Sequence, residues 1–284
     1  MIKSPISYTG NKSQLADELF AYYPTECRNY IEPFVGSGGM LLHVLQRKEM
    51  TIKGHVYAYD LNKHVINLYK CIQRTPNDLY EAIKTLTDAF GNIEDVEHAR
   101  SFYNKKRLNM NLGVYDDVST AAAFWFLNKT GYGSMYRENK EGFYNVSFNK
   151  SRMNSEVYPI SRNKLLLISK LVRDVTFECI DYMDAIKCRH DDLSKKDFVF
   201  LDPPYEKSSL KYVRGIMFDH EKFKRVALPS LLEKTRLVVT NSETTDYSDT
   251  GLKKQCLVVK RTLSNKDNTG KTVRKTRTES VFYL

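Results

Sequence analysis

The stretch Arg28-Asn29-Tyr30-Ile31-Glu32-Pro33-Phe34-Val35-Gly36-Ser37-Gly38-Gly39-Met40-Leu41-Leu42-His43-Val44-Leu45 reads as a short strand (Arg28–Pro33), a glycine turn and an apolar helix. Glycines at a strand-to-helix turn let the backbone approach a ligand closely and adopt the φ values the turn needs. A second strand, His55–Tyr59, follows and ends in Asp60. Strand, glycine turn, helix, strand and acid form the first half of a doubly wound nucleotide fold, in which the acid can accept both ribose hydroxyls of a nucleoside. The spacing lacks the third glycine of a pyrophosphate-binding loop, which fits adenosine without a diphosphate. Taken singly, the glycines fit a tight turn and Asp60 a helix cap; the pair carries the reading.

Farther along, Phe198-Val199-Phe200-Leu201 is followed by Asp202-Pro203-Pro204-Tyr205. Four consecutive apolar residues predict a parallel strand buried on both faces, with Asp202 at its carboxyl end, where open α/β sheets bind ligands. Two prolines fix the backbone and remove two N–H donors, leaving the Pro203 carbonyl as an acceptor. An acid, a carbonyl and the aromatic face of Tyr205 suit an exocyclic amine on a flat ring: two acceptors for its N–H groups and a plate for the base. The bland alternative is a proline-rich turn with a capping Asp and a packed Tyr.

Residues 13–22 are amphipathic. From about 65 to 127 the pattern is mostly helical, with Leu79, Ala82, Ile83, Leu86 and Phe90 in register. Residues 128–150 are rich in Gly, Asn, Tyr and Arg, and the turn Asn139–Gly142 predicts a β-hairpin. Strands are expected at Val175–Cys179, Phe198–Leu201, Leu237–Thr240, Leu257–Arg261 and Ser280–Leu284, with helices near 161–172 and 219–233. The simplest architecture is one α/β domain built from residues 1–64 and 160–284, with a helical-plus-hairpin insertion over 65–159.

The 284 residues are 42% hydrophobic and 27% charged, an ordinary globular composition. Lys and Arg number 44 against 34 Asp and Glu, a net charge of +10. From Lys253 onward there are nine basic and two acidic residues. That segment fits contact with a polyanion, whose counterions Lys and Arg displace, and equally a solvated tail. No run of about 18 apolar residues is present, so no membrane span is expected. Met1–Gly10 does not read as a signal peptide. Cys27, Cys71, Cys179, Cys188 and Cys256 are odd in number, scattered and without CxxC spacing. That pattern fits reduced thiols in a cytoplasm and excludes an ordinary zinc site; no metal is expected.

These motifs, in this order, resemble the Dam-type N6-adenine DNA methyltransferases, which use S-adenosylmethionine, and the resemblance runs over essentially the whole chain. It implies a Rossmann-like methyltransferase sheet with an inserted helical plus β-hairpin target-recognition domain. Tyr8-Thr9-Gly10-Asn11-Lys12 is similar to the family's N-terminal motif, whose lysine approaches the cofactor's methionine carboxylate. Phe34-Val35-Gly36-Ser37-Gly38 matches its glycine loop and Asp60 its ribose acid. Asp181-Tyr182 stands where the family places an acid and an aromatic beside the cofactor adenine, with Asp184 a rival for the acid. Asp202-Pro203-Pro204-Tyr205 matches its catalytic tetrapeptide. Its aspartate favours adenine, since related enzymes acting on cytosine usually carry Ser there and those acting on glutamine or ribosomal RNA often Asn.

In the insertion, Asn128-Lys129-Thr130-Gly131-Tyr132-Gly133-Ser134-Met135-Tyr136-Arg137-Glu138-Asn139 resembles the family's recognition hairpin, with Phe143–Phe148 as its returning strand. Asn128, Met135, Tyr136, Arg137, Asn139 and Lys150 are thereby the candidate DNA contacts. Arg137 is able to bond guanine O6 and N7 in a bidentate pair; the alternative is a structural hairpin covering the core. Where the family has Pro-Phe-Gly after the hairpin this chain has Ser147-Phe148-Asn149, a departure that bears on the family's GATC target. Lys271 and Arg274, within Asn265–Arg277, fit a phosphate-contacting arm or a mobile loop.

The activity expected is transfer of a methyl group to N6 of an adenine extruded from a short double-stranded DNA sequence. The setting expected is a prokaryotic or viral-host cytoplasm, with a cognate restriction endonuclease as a separate partner. Two other classes share parts of the pattern. A nucleotide-dependent oxidoreductase would use the glycine turn and ribose acid but not Asp-Pro-Pro-Tyr. A DNA-binding module without catalysis would account for the basic end and the hairpin alone. An RNA or protein amine is the remaining alternative substrate.

Overall fold

In a computed structural model the described residues are all of 1–284 except 9, 155, 156, 158, 206–217, 261–264, 267–271, 274 and 275; the side chains of 154, 259, 260, 265, 266, 272, 273, 276 and 277 are also left undescribed. Seven strands form the main sheet: β1 (Tyr30–Glu32), β2 (Val56–Asp60), β3 (Val175–Cys179), β4 (Phe198–Leu201), β5 (Arg236–Ser242), β6 (Lys253–Lys260) and β7 (Thr276–Tyr283). Their order across the sheet is β3-β2-β1-β4-β5-β7-β6. The first five run parallel, and β7 is antiparallel to both β5 and β6. Strand order reverses between β1 and β4, so the crevice at their carboxyl ends is where this topology places a ligand. Asn265–Lys266 and Thr272–Val273 pair antiparallel as a separate two-stranded sheet.

The sheet is buried on both faces because its strands supply apolar side chains to alternate sides. Tyr30, Ala58, Phe198, Phe200, Val238 and Val281 point into one cluster, and Ile31, Tyr59, Val199, Leu201, Val239 and Phe282 into the other. The first face is covered by α1 (Ala16–Phe20), α2 (Gly39–Leu45) and α3 (Lys63–Arg74). In α2 the run Met40, Leu41, Leu42 and Val44 is buried.

Between α3 and β3 lie α4 (Pro76–Gly91), α5 (Val96–Asn111), α6 (Asp117–Thr130) and α7 (Arg162–Leu171). Residues Ala121–Asn128 of α6 are buried all round, which makes it the central helix of the insertion. Phe126 packs on Phe90 and Phe102 at ring distances of 5.3 and 5.7 Å, and the Trp125 Nε1–H donates to the Pro5 carbonyl (3.0 Å). The second face is covered by α8 (Tyr182–Arg189) and by a helical stretch made of His220–Lys222, a π turn at Phe223–Ala227 and Leu228–Lys234.

The α/β rhythm read from the sequence holds, and three details differ. The amphipathic stretch 13–22 is broken into a 3₁₀ turn, Lys12–Gln14, and the five-residue α1, because Asn11 caps the turn separately through Ser13 N–H. Helix α8 has no counterpart in the expected elements. Residue 65, the expected start of the insertion, lies inside α3, whose Tyr69 ring stacks on Phe177 of β3 at 5.0 Å. Among the described residues no helix is long and apolar enough to cross a membrane.

Candidate active site

The carboxyl edge of the sheet gathers residues from several separated segments. After β1 the chain turns through Gly36 (φ 49°) and Gly38 (φ 72°) into α2. A Cβ at position 38 would stand 2.1 Å from the Tyr69 hydroxyl, which donates to the Ser37 carbonyl at 2.6 Å, so only glycine fits. A Cβ at Gly36 would face the Tyr8 ring at 3.6 Å, with no backbone in the way.

Asp60, at the end of β2, accepts the Gly36 N–H on Oδ2 and the Asn62 N–H on Oδ1, both at 2.8 Å. Burial raises its carboxyl to about 6 against the lowering pull of these backbone donors. Asn62 is fully buried, caps α3 through His64 N–H (3.0 Å) and donates to the Tyr8 hydroxyl (3.2 Å). The Ile180 N–H bonds the Asp60 carbonyl (3.2 Å), which brings Asp181 to the same edge. Asp181 caps α8 through Met183 N–H (2.9 Å), and Tyr182 packs on Phe34 at 5.2 Å. Its rival Asp184 is exposed and faces Lys187 (3.8 Å).

On the other side of the switch point Asp202 follows β4. Lys12, only 3% exposed, lies across both its oxygens at 2.7 and 2.8 Å and also donates to the Gly10 carbonyl (2.8 Å). Thr240 of β5 donates to Asp202 Oδ1 (2.8 Å). Burial raises the Asp202 carboxyl above the usual carboxylate range, Lys12 opposes that rise, and Glu279 adds to it. Lys12 Nζ stands 4.8 Å from the centre of the Tyr205 ring, and the Tyr205 hydroxyl donates to Glu279 Oε2 (3.0 Å). Pro203 is buried, while Pro204 and Tyr205 are partly exposed. A partly exposed carboxylate and phenol ring at a strand end, held by a buried ammonium and a threonine, can accept N–H groups and stack on a planar ring.

The hairpin expected over 128–150 forms as two extended arms joined by bridges at Gly131–Phe148 and Glu138–Tyr144, with the turn closed by Gly142 N–H on the Asn139 carbonyl (3.1 Å). Its candidate contacts divide. Arg137 and Lys150 are exposed, and Met135 and Asn139 partly so. Arg137 bonds the Asn145 side chain through Nε (2.7 Å) and its carbonyl through Nη2 (3.2 Å), bonds that use two of its five N–H donors.

Asn128 and Tyr136, expected to face DNA, are instead buried at 1% and 2% exposure. Asn128 holds both the N–H and the carbonyl of Ser7 (3.1 and 2.8 Å), and Tyr136 donates to Glu138 and lies 6.2 Å from the Tyr8 ring. Both are interior because the hairpin lies flat on α6 and the N-terminal segment. Lys271 and Arg274 lie outside the described residues.

Three members of the site were not singled out from the sequence. Asn62 and Thr240 follow the strand-end pattern, a polar residue closing an apolar run, and were within reach of it. Glu279 sits in a polar stretch of β7, and nothing local marks it.

A family model described as D12 class N6 adenine-specific DNA methyltransferase matches residues 8–264. The chain is 30% identical over 266 residues to the type II methyltransferase M.MjaIII of Methanocaldococcus jannaschii, covering 87% of this chain and 86% of that protein. It is 28% identical over 280 residues to the DNA N-6-adenine-methyltransferase of Escherichia phage P1, covering 94% of this chain and 34% of that one. Against the DNA adenine methylase of Escherichia coli K12 the identity is 28% over 202 residues, 70% of this chain and 64% of that protein.

Proposed function

The chain belongs to the D12 class of N6 adenine-specific DNA methyltransferases, and from that premise we propose S-adenosylmethionine as its methyl donor and an adenine swung out of a short double-stranded sequence as its acceptor. The observation that carries this reading is Asp202, partly exposed at the end of β4 and braced by Lys12 and Thr240, with the Tyr205 ring beside it.

The residues at the edge fit the donor. Asp60 offers carboxylate lone pairs to ribose hydroxyls, and the turn at Gly36 and Gly38 gives close backbone approach. Phe34, Asp181 and Tyr182 suit an adenine, while Tyr8, Gly10 and Lys12 border the position for a methionine end. When bound, the donor supplies a methyl carbon whose bond to sulfur breaks, the sulfur keeping the pair, as the adenine N6 lone pair bonds it. Asp202 and the Pro203 carbonyl accept the two N–H groups of the amine and aim its lone pair, and Tyr205 stacks on the base. An Asp202 carboxyl raised by burial is a competent acceptor for the proton the amine sheds. Alignment is the main contribution, because an amine attacks unaided once positioned.

In this reading the insertion, 65–159, selects the target, with Arg137 entering the major groove and Lys150 touching phosphate. Lys271 and Arg274 would add phosphate contacts. GATC is the first sequence to test, and the Ser147-Phe148-Asn149 departure makes other targets part of the same screen. A cytoplasmic setting and a separately acting cognate endonuclease complete the proposal.

Incubation of the chain with S-adenosylmethionine and duplex DNA, followed by mapping of N6-methyladenine, tests it. Asp202→Ala should lower transfer by at least about 100-fold while cofactor binding persists. Appreciable turnover by that variant removes Asp202 from the chemistry.

A further inference from the structure

Lys12 is buried between two carboxylates that the reading above treats unequally. It spans both oxygens of Asp202 (2.7 and 2.8 Å) and lies 3.6 Å from Glu279 Oε2. Glu279, on β7 opposite Ser242 of β5, is 5% exposed and also accepts the Tyr205 hydroxyl at 3.0 Å. One acid thus touches both the lysine that covers the amine-binding carboxylate and the ring meant to stack on the base.

We propose that Glu279 is a positioning residue: it is the counter-ion toward which Lys12 shifts when Asp202 takes up the target amine, and through the Tyr205 hydroxyl it sets the stacking ring. The proposal rests on Asp202 accepting the amine, as argued above.

Thr240 and Lys12 both hold Oδ1 of Asp202, so Oδ2, which Lys12 alone bonds, is the oxygen to be yielded to an incoming N–H. A lysine this deeply buried that gives up one of its two carboxylate contacts is left under-compensated, and an under-compensated interior charge is destabilising. Glu279 removes that obstacle with little movement. Closing the 3.6 Å separation to an ordinary charge-assisted bond takes a displacement of about 1 Å. The charge count points the same way. With both acids ionised, Asp202, Lys12 and Glu279 sum to one negative charge, beside an amine that becomes cationic as it gains the methyl group. Without Glu279 the cluster is neutral, and the developing charge loses that field.

The test compares Glu279→Gln with the unaltered chain in kcat, KM for DNA, cofactor affinity and the pH dependence of kcat. Glutamine keeps an acceptor for Tyr205 and removes only the charge. The groups facing Asp202 are Lys12 from the N-terminal turn, Glu279 from β7, Thr240 from β5, Tyr205 from its own loop and, farther off, Glu32 of β1 and Tyr23. Burial raises the Asp202 carboxyl most and the Glu279 charge adds to it, so losing that charge moves the acid limb to lower pH.

The expected result is a fall in kcat on the order of ten-fold, cofactor affinity unchanged and the acid limb shifted downward; Glu279→Asp, which keeps the charge, restores the limb. Wild-type kcat with an unmoved limb in Glu279→Gln overturns the proposal, as does an aspartate variant that shifts as glutamine does. Should glutamine prevent folding, Tyr205→Phe, which deletes only the hydroxyl that Glu279 accepts, takes its place: a several-fold loss of kcat supports the proposal and an unchanged kcat overturns it. If the unaltered chain fails to methylate adenine, it is the earlier reading that falls.

Discussion

Asp60 carries a stability cost that its place in the site explains. It closes β2 with two backbone N–H groups on its carboxylate, yet burial still raises it to about 6. For an acid with a raised folded-state value, the favourable contribution is complete below the unfolded value of 3.8 and is lost as pH rises through about 6. A displacement of two pH units corresponds to about 3 kcal/mol, and partial exposure of the carboxylate brings that to about 2. Asp60→Asn cannot ionise and escapes this loss. The melting temperature of the variant relative to the wild type should therefore improve steadily between pH 4 and 7, while its affinity for S-adenosylmethionine falls. A pH-independent difference in melting temperature would show that Asp60 does not titrate in that window. A carboxylate retained at such a cost is better explained by a ligand than by a capping role.

The hairpin and the end of α6 that leads into it show how candidate DNA contacts divide between surface and interior. Arg137 is exposed, whereas Asn128 is buried and ties Ser7 to the end of α6. Arg137→Ala should weaken specific DNA binding by about 1–3 kcal/mol, relax discrimination at one base pair and leave the unfolding midpoint unchanged. Asn128→Ala should do the reverse, costing about 1–3 kcal/mol of stability because the N–H and carbonyl of Ser7 lose their partner. Filter binding and urea titration of the two variants separate the roles; an Arg137 variant with normal binding would return the hairpin to a purely structural part. The sequence showed this element as a turn with flanking extended arms, through Asn139 and Gly142. It could not show which side chains face inward, since only isolated bridges form and no regular alternation exists to read.

The same contrast runs through the rest of the chain. Strand β4 was legible to the residue because a short apolar run bounded by polar residues has few other readings, and β3 because Val175, Phe177 and Cys179 alternate with polar residues; Asp202 follows from where β4 ends and Asp60 from where the run of β2 ends. Helix α8 was not, since eight residues with three charges give too little periodicity. Glu279 acquires its meaning only when β7 inserts between β5 and β6 and brings it to Lys12, from the opposite end of the chain.

How the insertion and the sheet are joined governs the behaviour of the whole molecule. The reading of 65–159 as a separate recognition domain predicts two units, yet a single hydrophobic cluster runs from Tyr30, Val56 and Phe198 of the sheet through Tyr69 and Leu79 to Phe90, Phe126 and Tyr144. The N-terminal segment strengthens the link, because Pro5 and Ser7, next to the candidate cofactor residues, bond to Trp125 and Asn128 of α6. A part that shares its core with another cannot unfold without exposing its neighbour's apolar surface, so the two should melt together.

The chain has one tryptophan, Trp125, and it lies in the insertion at 2% exposure. Its fluorescence therefore follows the inserted helices, while far-ultraviolet circular dichroism follows the whole chain. In urea the two signals should trace one coincident transition; a fluorescence midpoint clearly below that of the dichroism would establish an independently unfolding insertion. Coincidence has a functional corollary. With Tyr8 against Tyr136 and Ser7 held by Asn128, cofactor bound at the sheet edge should raise the fluorescence midpoint as much as the dichroism midpoint. Donor binding and target reading would then be mechanically coupled through residues 5–8, with no hinge between them.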